Sequence, residues 1–202
     1  MLNIPYFKSM LTEIIKTKLY SIVIFVETIQ MKAILFTFFI LLNFSVSAQF
    51  IEIKSPNELP KKDNRLKVFL GGTIDMGNSE DWQAKISREL KNESIILFNP
   101  RRDDWNIAWK PVKEEPEFRK QVEWELNALE NSDYIIMYFG KDSKSPISLL
   151  EMRLYARSGK LLIICPEGFW RKGNVDITAE KYGVKQYDSI EDMLLFLKTK
   201  LK

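Results

Sequence analysis

The residue that first suggests chemistry is Glu151, a carboxylate in the stretch "SPISLLEMRLYARSGK" of residues 145–160. This stretch has the signals of a helix, with Ser145 as a plausible N-cap, Pro146 at the first helical position and Gly159 at the end. The helical neighbours of Glu151 are mostly apolar: Ile147, Ser148, Leu154 and Tyr155. Because an isolated buried charge is costly, this position predicts a functional carboxylate in a partly dry pocket. The competing interpretation is a core glutamate satisfied by a backbone or arginine partner.

Carboxylates are the leading candidates because the chain has no histidine and a single cysteine, Cys165. This composition excludes a His/Cys zinc site, Ser–His and Cys–His nucleophile pairs, and an intramolecular disulfide. Acid–base or nucleophilic chemistry then falls to Asp, Glu, Lys, Tyr, Ser or Cys165. Cys165 lies in a predicted buried strand, which favours an inert core role. Asp133, where a helix turns into a strand, has a helix-end or turn role as its simplest interpretation.

Two loops hold further polar or flexible candidates. Gly71-Gly72 permits close approach of a ligand to the backbone, but the pair is neither a G-x-G-x-x-G fingerprint nor a P-loop, and a simple turn is favoured. Arg101-Arg102 could hold a phosphate or a base. Their spacing alone favours surface ion pairs with Asp103 and Asp104.

The overall composition is that of a folded globular protein. The chain has 202 residues, of which 46% are hydrophobic and 28% charged. A formal net charge of +3 is too small to indicate binding of a nucleic-acid polymer. A small or locally recognised ligand is therefore expected.

Residues 1–48 are predicted to form an N-terminal extension with a signal-like part at 31–48. After Met31, Lys32 precedes an apolar run of residues 33–44, and Val46-Ser47-Ala48 fits a signal-peptidase site. The run is short for a transmembrane span of roughly 20 residues. The sequence thus predicts export, to the periplasm or the medium, after cleavage near Ala48, with Met31 as a candidate true start. An uncleaved membrane anchor is the alternative.

Beyond residue 65, strands alternate with helices. Residues 49–65 are polar, contain two prolines and predict a linker. The predicted strands are apolar runs at 66–72, 94–100, 133–140 and 160–168, with a short one at 184–187. The predicted helices are 79–90 capped by Ser79, 116–132 with Phe118, Val122, Leu126 and Leu129 inside, 145–159, and one from about Ser189; residues 101–115 and 171–183 are predicted loops.

Continuous apolar strands are typical of a parallel sheet covered on both faces. The sequence therefore predicts one doubly wound α/β domain over residues 66–202, with a sheet of about five strands. Ligands in such folds bind beyond the carboxyl ends of the strands, near the topological switch point. Gly71, Asn99 and Gly140 lie at or next to such ends, and Glu151 follows the third of them.

With these segments assembled, the chain resembles the nucleoside 2-deoxyribosyltransferase-like family. The matching blocks are "VFLGGTID", "EDWQ", "FNPRR", "QVEWELNALENSDYIIMYF", "SPISLLEMRLYARSGK" and "RKGNVDI". They cover roughly residues 66–187. The resemblance implies a flavodoxin-like fold of parallel strands.

The resemblance also implies roles for individual residues. Glu151 matches the nucleophilic glutamate, and Asp133 matches an aspartate that positions the nucleoside or handles the base proton. Asn174, in the predicted loop after the fourth strand, matches an asparagine that reaches into a neighbouring subunit's site, which implies a homo-oligomer. Gly71 and Gly72 match small residues that line the sugar–base pocket.

Two departures from the family pattern affect the handling of the base. Phe69 replaces a tyrosine whose hydroxyl orients the nucleophile, and Ser145 replaces a second aspartate. Base handling then falls to Asp133, or to Asp75, Asp81, Arg101 or Arg102. The matching blocks add Trp82 and Asn99 to the expected substrate-binding residues.

The expected reaction is retaining cleavage of the N-glycosidic bond through a glutamate nucleophile, without metal or cofactor. The expected substrates are a deoxynucleoside or deoxynucleotide and a free nucleobase. One alternative is an N-hydrolase in which Arg101 or Arg102 holds a phosphate. Another is a catalytically inactive nucleotide-binding module.

Overall fold

The computed structural model of the chain describes residues 4–42, 49–74 and 81–201. The chain divides into two compact units, Met1–Ser47 and Ala48–Lys202. The described part of the first unit is the 39-residue helix α1 (Ile4–Leu42). The predicted cleavage site near Ala48 lies outside the described residues. Among the helices within the described ranges, none combines the length and apolar character needed to cross a membrane.

The second unit is built on a parallel sheet with the strand order β1-β3-β2-β4-β5-β6. Its strands are β1 (Ile51–Lys54), β2 (Leu66–Gly72), β3 (Ile95–Asn99), β4 (Tyr134–Tyr138), β5 (Leu161–Ile164) and β6 (Lys185–Tyr187). The predicted flavodoxin-like α/β architecture is confirmed, with six strands instead of about five.

The sixth strand comes from residues 49–65, for which the sequence predicts a linker. β1 pairs with β3 at the sheet edge, with Ile51 opposite Ile96. The linker prediction is wrong for this part because four partly buried residues are too few to form a recognisable apolar run.

Within the described part of the second unit, five helices cover the sheet. They are α2 (Trp82–Leu90), α3 (Pro116–Asn131), α4 (Pro146–Tyr155), α5 (Lys172–Tyr182) and α6 (Ile190–Lys198). The predicted loop at 171–183 is wrong, because α5 occupies it. This helix buries only Val175, Thr178 and Ala179 and ends at Gly183 in the left-handed region, so its apolar signal in the sequence is weak.

The helices form one layer on each face of the sheet. Helices α3, α4 and α5 pack on Phe69, Phe98 and Met137, whereas α2 and α6 pack on Leu70, Leu97 and Ile136. Alternate residues of each strand therefore enter opposite cores, which explains the continuous apolar runs.

The predicted inner face of α3 needs correction. Leu126 is 43% exposed, and Phe118 and Val122 are only partly buried. The buried positions are instead Gln121, Trp124, Ala128 and Leu129. The helix is rotated so that Trp124 and Ala128 face the sheet, which brings a polar residue, Gln121, inward.

The switch point lies between β2 and β4. From β2 the chain proceeds to β3 on one side and then crosses to β4 on the other. At the carboxyl end of β2, Gly72 lies beside Tyr138 of β4. The φ angle of Gly72 is 138°, and a Cβ on this residue would overlap the Tyr138 carbonyl oxygen. Glycine is needed because both the backbone angle and the close approach exclude a side chain.

We expect Gly72→Ala to lower the free energy of unfolding by about 3 kcal/mol, since the strands must separate to accept the methyl group. Chemical denaturation measures this loss. Gly159→Ala is the matched control: Gly159 has φ of 73° but open space around it, so the cost is about 1 kcal/mol. Equal losses in the two variants would contradict the proposed overlap.

Candidate functional site

Glu151 lies on α4 next to the row of residues that this helix buries. That row is Ser148 and Met152, continued by the buried C-cap residue Ala156. Glu151 itself is partly buried. The prediction that Ile147 and Leu154 share the buried face is wrong, because their exposed fractions are 60% and 63%. The helix therefore faces the core with Ser148 and Met152, while Ile147, Leu150 and Leu154 face outward.

A second carboxylate, Glu125 of α3, lies close enough for its charge to act on Glu151. Burial raises the pKa of Glu151 to about 8, and the negative charge of Glu125 adds to this shift. Burial also raises the pKa of Glu125, while a hydrogen bond from Gln121 opposes the increase. Among the described residues, neither glutamate forms a salt bridge. Two buried carboxylates so close together disfavour the state in which both are charged, so the pair favours binding a single proton.

Gln121 orients Glu125. Its Nε2 donates to Glu125 Oε1 at 2.7 Å and to the Pro100 carbonyl oxygen at 2.9 Å, and its Oε1 accepts from Ser55 Oγ at 2.5 Å. Ser55 follows β1, and its amide donates to the Asn99 carbonyl oxygen. The extra edge strand thus takes part in positioning one of the two acids.

Three buried hydroxyl groups fill the switch point. Ser145 Oγ lies 2.6 Å from both Thr73 Oγ1 and Ser143 Oγ, and Thr73 Oγ1 accepts from the Gly140 amide at 2.8 Å. Ser145 stands at the N-cap position with φ of 41°, but its side chain makes no capping hydrogen bond. Its hydroxyl instead ties the start of α4 to the end of β2, which fixes the helix that carries Glu151.

The expected pocket glycines lie at this same edge. A Cβ on Gly71 would stand 3.0 Å from Phe69 Cε1 and 3.2 Å from Met137 Cε. The missing side chain therefore lets Phe69 and Met137 pack directly against the Gly71 backbone, on the face of the sheet that α3 and α4 cover. Phe69 presents a ring edge where the family pattern has a tyrosine hydroxyl.

The two arginines after β3 have different surroundings. Arg102 is 9% exposed, binds Asp104 and Glu117, and lies over the Trp109 ring at 4.7 Å. The predicted pair with Asp104 is present, whereas Asp103 pairs with Lys54. Arg101 is partly buried next to Asp81, with 3.3 Å between Nη1 and Oδ1.

Three expected substrate-binding residues have structural roles. Asn99 is 3% exposed; it donates to Glu52 and accepts from the Arg101 amide. Trp82 is fully buried, stacks on Tyr138 and donates to the Thr73 carbonyl oxygen at 2.7 Å. Asp81 caps α2 by accepting from the Ala84 amide, a role that the sequence assigned to Ser79, which lies outside the described residues. Asp75 lies outside them as well.

Asp133 lies at the opposite edge of the sheet from Glu151. It directly precedes β4, at the amino end of that strand, and its Oδ2 accepts from the Lys67 amide at the start of β2. The five residues of β4, about 16 Å of extended chain, separate it from the carboxyl edge. The structure does not bring Asp133 next to Glu151; the observed role of its side chain is to close the β2–β4 ladder.

Asn174 lies on the first turn of α5, not in a loop. It is exposed and lines a cavity of about 260 Å³ between α4 and α5, together with Leu149, Met152, Arg153, Arg171 and Thr178. Glu151 does not line this cavity. Within its own chain, Asn174 is therefore not brought to the pair of acids.

Sequence reasoning missed Glu125 and Gln121. Both lie in "QVEWELNAL", four residues apart and interleaved with Trp124, Ala128 and Leu129. Each is a polar residue next to an apolar helical row, which is the same sequence signal that singles out Glu151.

The model of one protein family, described as nucleoside 2-deoxyribosyltransferase like, matches residues 65–169. The match spans just over half of the chain and includes both Glu125 and Glu151. The chain belongs to the nucleoside 2-deoxyribosyltransferase-like family. A search of curated proteins finds no match. Family membership supports a general role in deoxyribosyl transfer, with nucleosides and nucleobases as the class of substrate.

We expect the pair of acids to make stability depend on pH. The folded pKa of Glu151, about 8, exceeds its ordinary value of 4.5, so the folded chain binds a proton more tightly than the unfolded chain. The free energy of unfolding should therefore fall as pH rises from 4.5 to about 8. Glu151→Gln should flatten this fall in denaturation experiments across that window. Glu89→Gln, on the exposed surface of α2, should leave it unchanged; equal slopes in both variants would refute the pairing.

Proposed function

We propose that this chain cleaves the N-glycosidic bond of 2'-deoxyribonucleosides and passes the deoxyribosyl group to a second base or to water. The observation that carries the proposal is the pair of partly buried acids, Glu125 and Glu151, on the two helices next to the switch point. A single proton on such a pair provides one acid and one nucleophile at neutral pH.

Glu151 is the proposed nucleophile. Its ionised carboxylate attacks the anomeric carbon, the bond to the base breaks, and the base leaves with the electron pair and takes up a proton. A deoxyribosyl ester of Glu151 remains. The transition state resembles an oxocarbenium ion, so the adjacent carboxylate stabilises the charge that develops on the sugar. A second base or water then attacks the ester, with net retention of configuration.

Glu125 is the proposed proton carrier, in place of Asp133. In the resting site, the hydrogen bond from Gln121 favours the charged form of Glu125, which leaves the shared proton on Glu151. Attack needs the reverse arrangement. Positive charge developing on the sugar favours an ionised Glu151, and the proton that moves from Glu151 to Glu125 then passes to the leaving base. The incoming base returns a proton to Glu125 in the second half of the reaction.

A second copy of the chain is the proposed partner. The outer face of α4 exposes Ile147, Leu150 and Leu154, and nearby Trp170 and Ile177 are 53% and 69% exposed. Apolar side chains gathered in this way are typical of subunit interfaces. The face adjoins the cavity that Asn174 lines, consistent with the family expectation that this residue serves a neighbouring site.

Glu151→Gln should lower base release by at least about 10³-fold, because the variant cannot form the ester. Chromatography of a mixture of the chain, deoxyadenosine and cytosine is the measurement. New deoxycytidine indicates transfer, and adenine alone indicates hydrolysis. Glu123→Gln, which changes an exposed glutamate on the same helix as Glu125, is the control with unchanged activity. Undiminished release by Glu151→Gln would end the assignment.

Leu150→Glu should convert the oligomer to a monomer, because a charge at the centre of the outer face of α4 cannot be buried without a partner. Light scattering after gel filtration gives the mass. Leu195→Glu is the matched control, since Leu195 is equally exposed at 67% but lies on α6. A monomeric unaltered chain, or loss of the oligomer in both variants, would contradict the proposed interface.

A further inference from the structure

A second cavity, of about 200 Å³, opens at the amino edge of the sheet. The first residues of three neighbouring strands line it: Tyr134 of β4, Leu161 of β5 and Lys185 of β6. The carboxyl ends of α4, α5 and α6 enclose it from the sides. Neither Glu125 nor Glu151 lines this cavity, so it is separate from the pair of acids.

Aromatic rings and aliphatic side chains form the wall of this cavity. Tyr134, Tyr182 and Phe196 contribute the rings, and 6.0 Å separates the centroids of Tyr134 and Phe196, which meet edge to face. Gly159 and Gly183 also line it, and apart from chain neighbours no heavy atom lies within 4 Å of the place where a Cβ would stand on either residue. The glycines therefore leave the mouth open. Pockets for drug-sized ligands begin at roughly 300 Å³, so a cavity of this size suits a single small ring.

Two ammonium groups lie over one of these rings. The Nζ atoms of Lys185 and Lys200 are 4.0 and 5.1 Å from the centroid of Phe196. In the described part of the chain, neither ammonium group forms a salt bridge or a hydrogen bond with another residue. Two like charges beside one ring repel each other, and contact with the ring offsets only part of the repulsion at exposed side chains. An anionic ligand that meets both lysines would relieve it.

Capping of the helices does not account for these two lysines. Where α5 and α6 end, backbone amides of the following turns already donate to carbonyl oxygens of the last turn. Lys160, at the same edge, shows what a lysine bound to a helix end does: its Nζ donates to the Glu130 carbonyl oxygen at 3.1 Å. Lys185 and Lys200 make no such bond to any residue that the structure describes, so their donors remain available to a ligand.

We propose that this cavity binds a small aromatic carboxylate. The ring of the ligand enters between Tyr134, Tyr182 and Phe196, and its carboxylate lies at the mouth, where Lys185 and Lys200 supply N–H donors and opposite charge. A neutral ring would leave the two ammonium groups facing each other, and a small inorganic anion would leave the apolar wall in water. Ring and charge are therefore both required. The site lies at the opposite edge of the sheet from the proposed substrate site, and it does not depend on the proposed reaction.

The probe is para-fluorobenzoate, titrated into the full-length chain and followed by fluorine NMR. We expect a dissociation constant below about 1 mM, which ten non-hydrogen atoms can provide. The double variant Lys185→Gln/Lys200→Gln should weaken binding at least about tenfold, because the charge-assisted hydrogen bonds are lost. Lys198→Gln is the matched control, since it removes an exposed lysine of α6 that does not line the cavity, and it should leave the constant unchanged.

Two further compounds test whether ring and charge are both needed. We expect para-fluorobenzyl alcohol, which keeps the ring, to bind at least about tenfold more weakly than the probe. Acetate, which keeps the charge, should not displace the probe at equal concentration. Equal binding of the alcohol and the probe, or displacement by acetate, would contradict the proposed ligand class.

Absence of saturable binding, or equal effects of the double variant and the control, overturns the proposal. Both lysines are exposed, so the glutamine variants should keep their fold, which circular dichroism checks. Should the double variant not fold, Val184→Phe decides, because its larger side chain fills the cavity. This variant should abolish binding, and unchanged binding would place the probe elsewhere on the chain.

Discussion

Glu125 and Glu151 are held in partly dry surroundings, close enough for the charge of one to raise the pKa of the other. An ionised carboxylate taken out of water costs several kcal/mol, a large fraction of the roughly 5–15 kcal/mol that stabilises a domain. The two helices must therefore be fixed by other contacts. Trp124 of α3 and Met152 of α4 pack into the core beneath the acids, and the Thr73–Ser145 hydroxyl pair fastens the start of α4. The site is maintained by packing that has no chemical role of its own.

The sequence predicted the features that leave a long, regular signal. Strands β2 to β5 are apolar runs with turn residues beyond them, and Glu151 interrupts a largely apolar stretch. It failed where the signal was short or faint. β1 has four residues, and α5 buries three positions among charged neighbours. β1 forms by pairing with β3, and α5 forms by packing against the core. These are tertiary contacts, and a local sequence pattern does not predict them.

The location of Asp133 and the omission of Glu125 from the sequence-based site have a common origin. Resemblance placed Asp133 at the reaction centre, although a parallel strand that starts at this residue must carry it to the amino edge of the sheet. α3 runs in the opposite direction to β4, so Glu125, eight residues earlier in the chain, lies nearer to the carboxyl edge. The order of α3 and β4 in the sequence is therefore enough to place Glu125 nearer than Asp133 to the carboxyl edge. The rotation of α4 that leaves Leu150 exposed and Met152 buried is a matter of tertiary packing, and the nearly continuous apolar sequence of this helix does not specify it.

The Pro100 carbonyl oxygen can only accept a hydrogen bond, and this fixes the orientation of the Gln121 side-chain amide. Gln121 must turn its amino group toward that oxygen, and the remaining N–H then points at Glu125. The Ser55 hydroxyl, which rotates freely, adapts to whatever the amide presents. The main chain thus dictates the orientation of the Gln121 amide, whose hydrogen bond opposes the effect of burial on the pKa of Glu125. Through Gln121, a backbone carbonyl oxygen just beyond β3 thus gives Glu125 a hydrogen-bond donor that Glu151 lacks among the described residues.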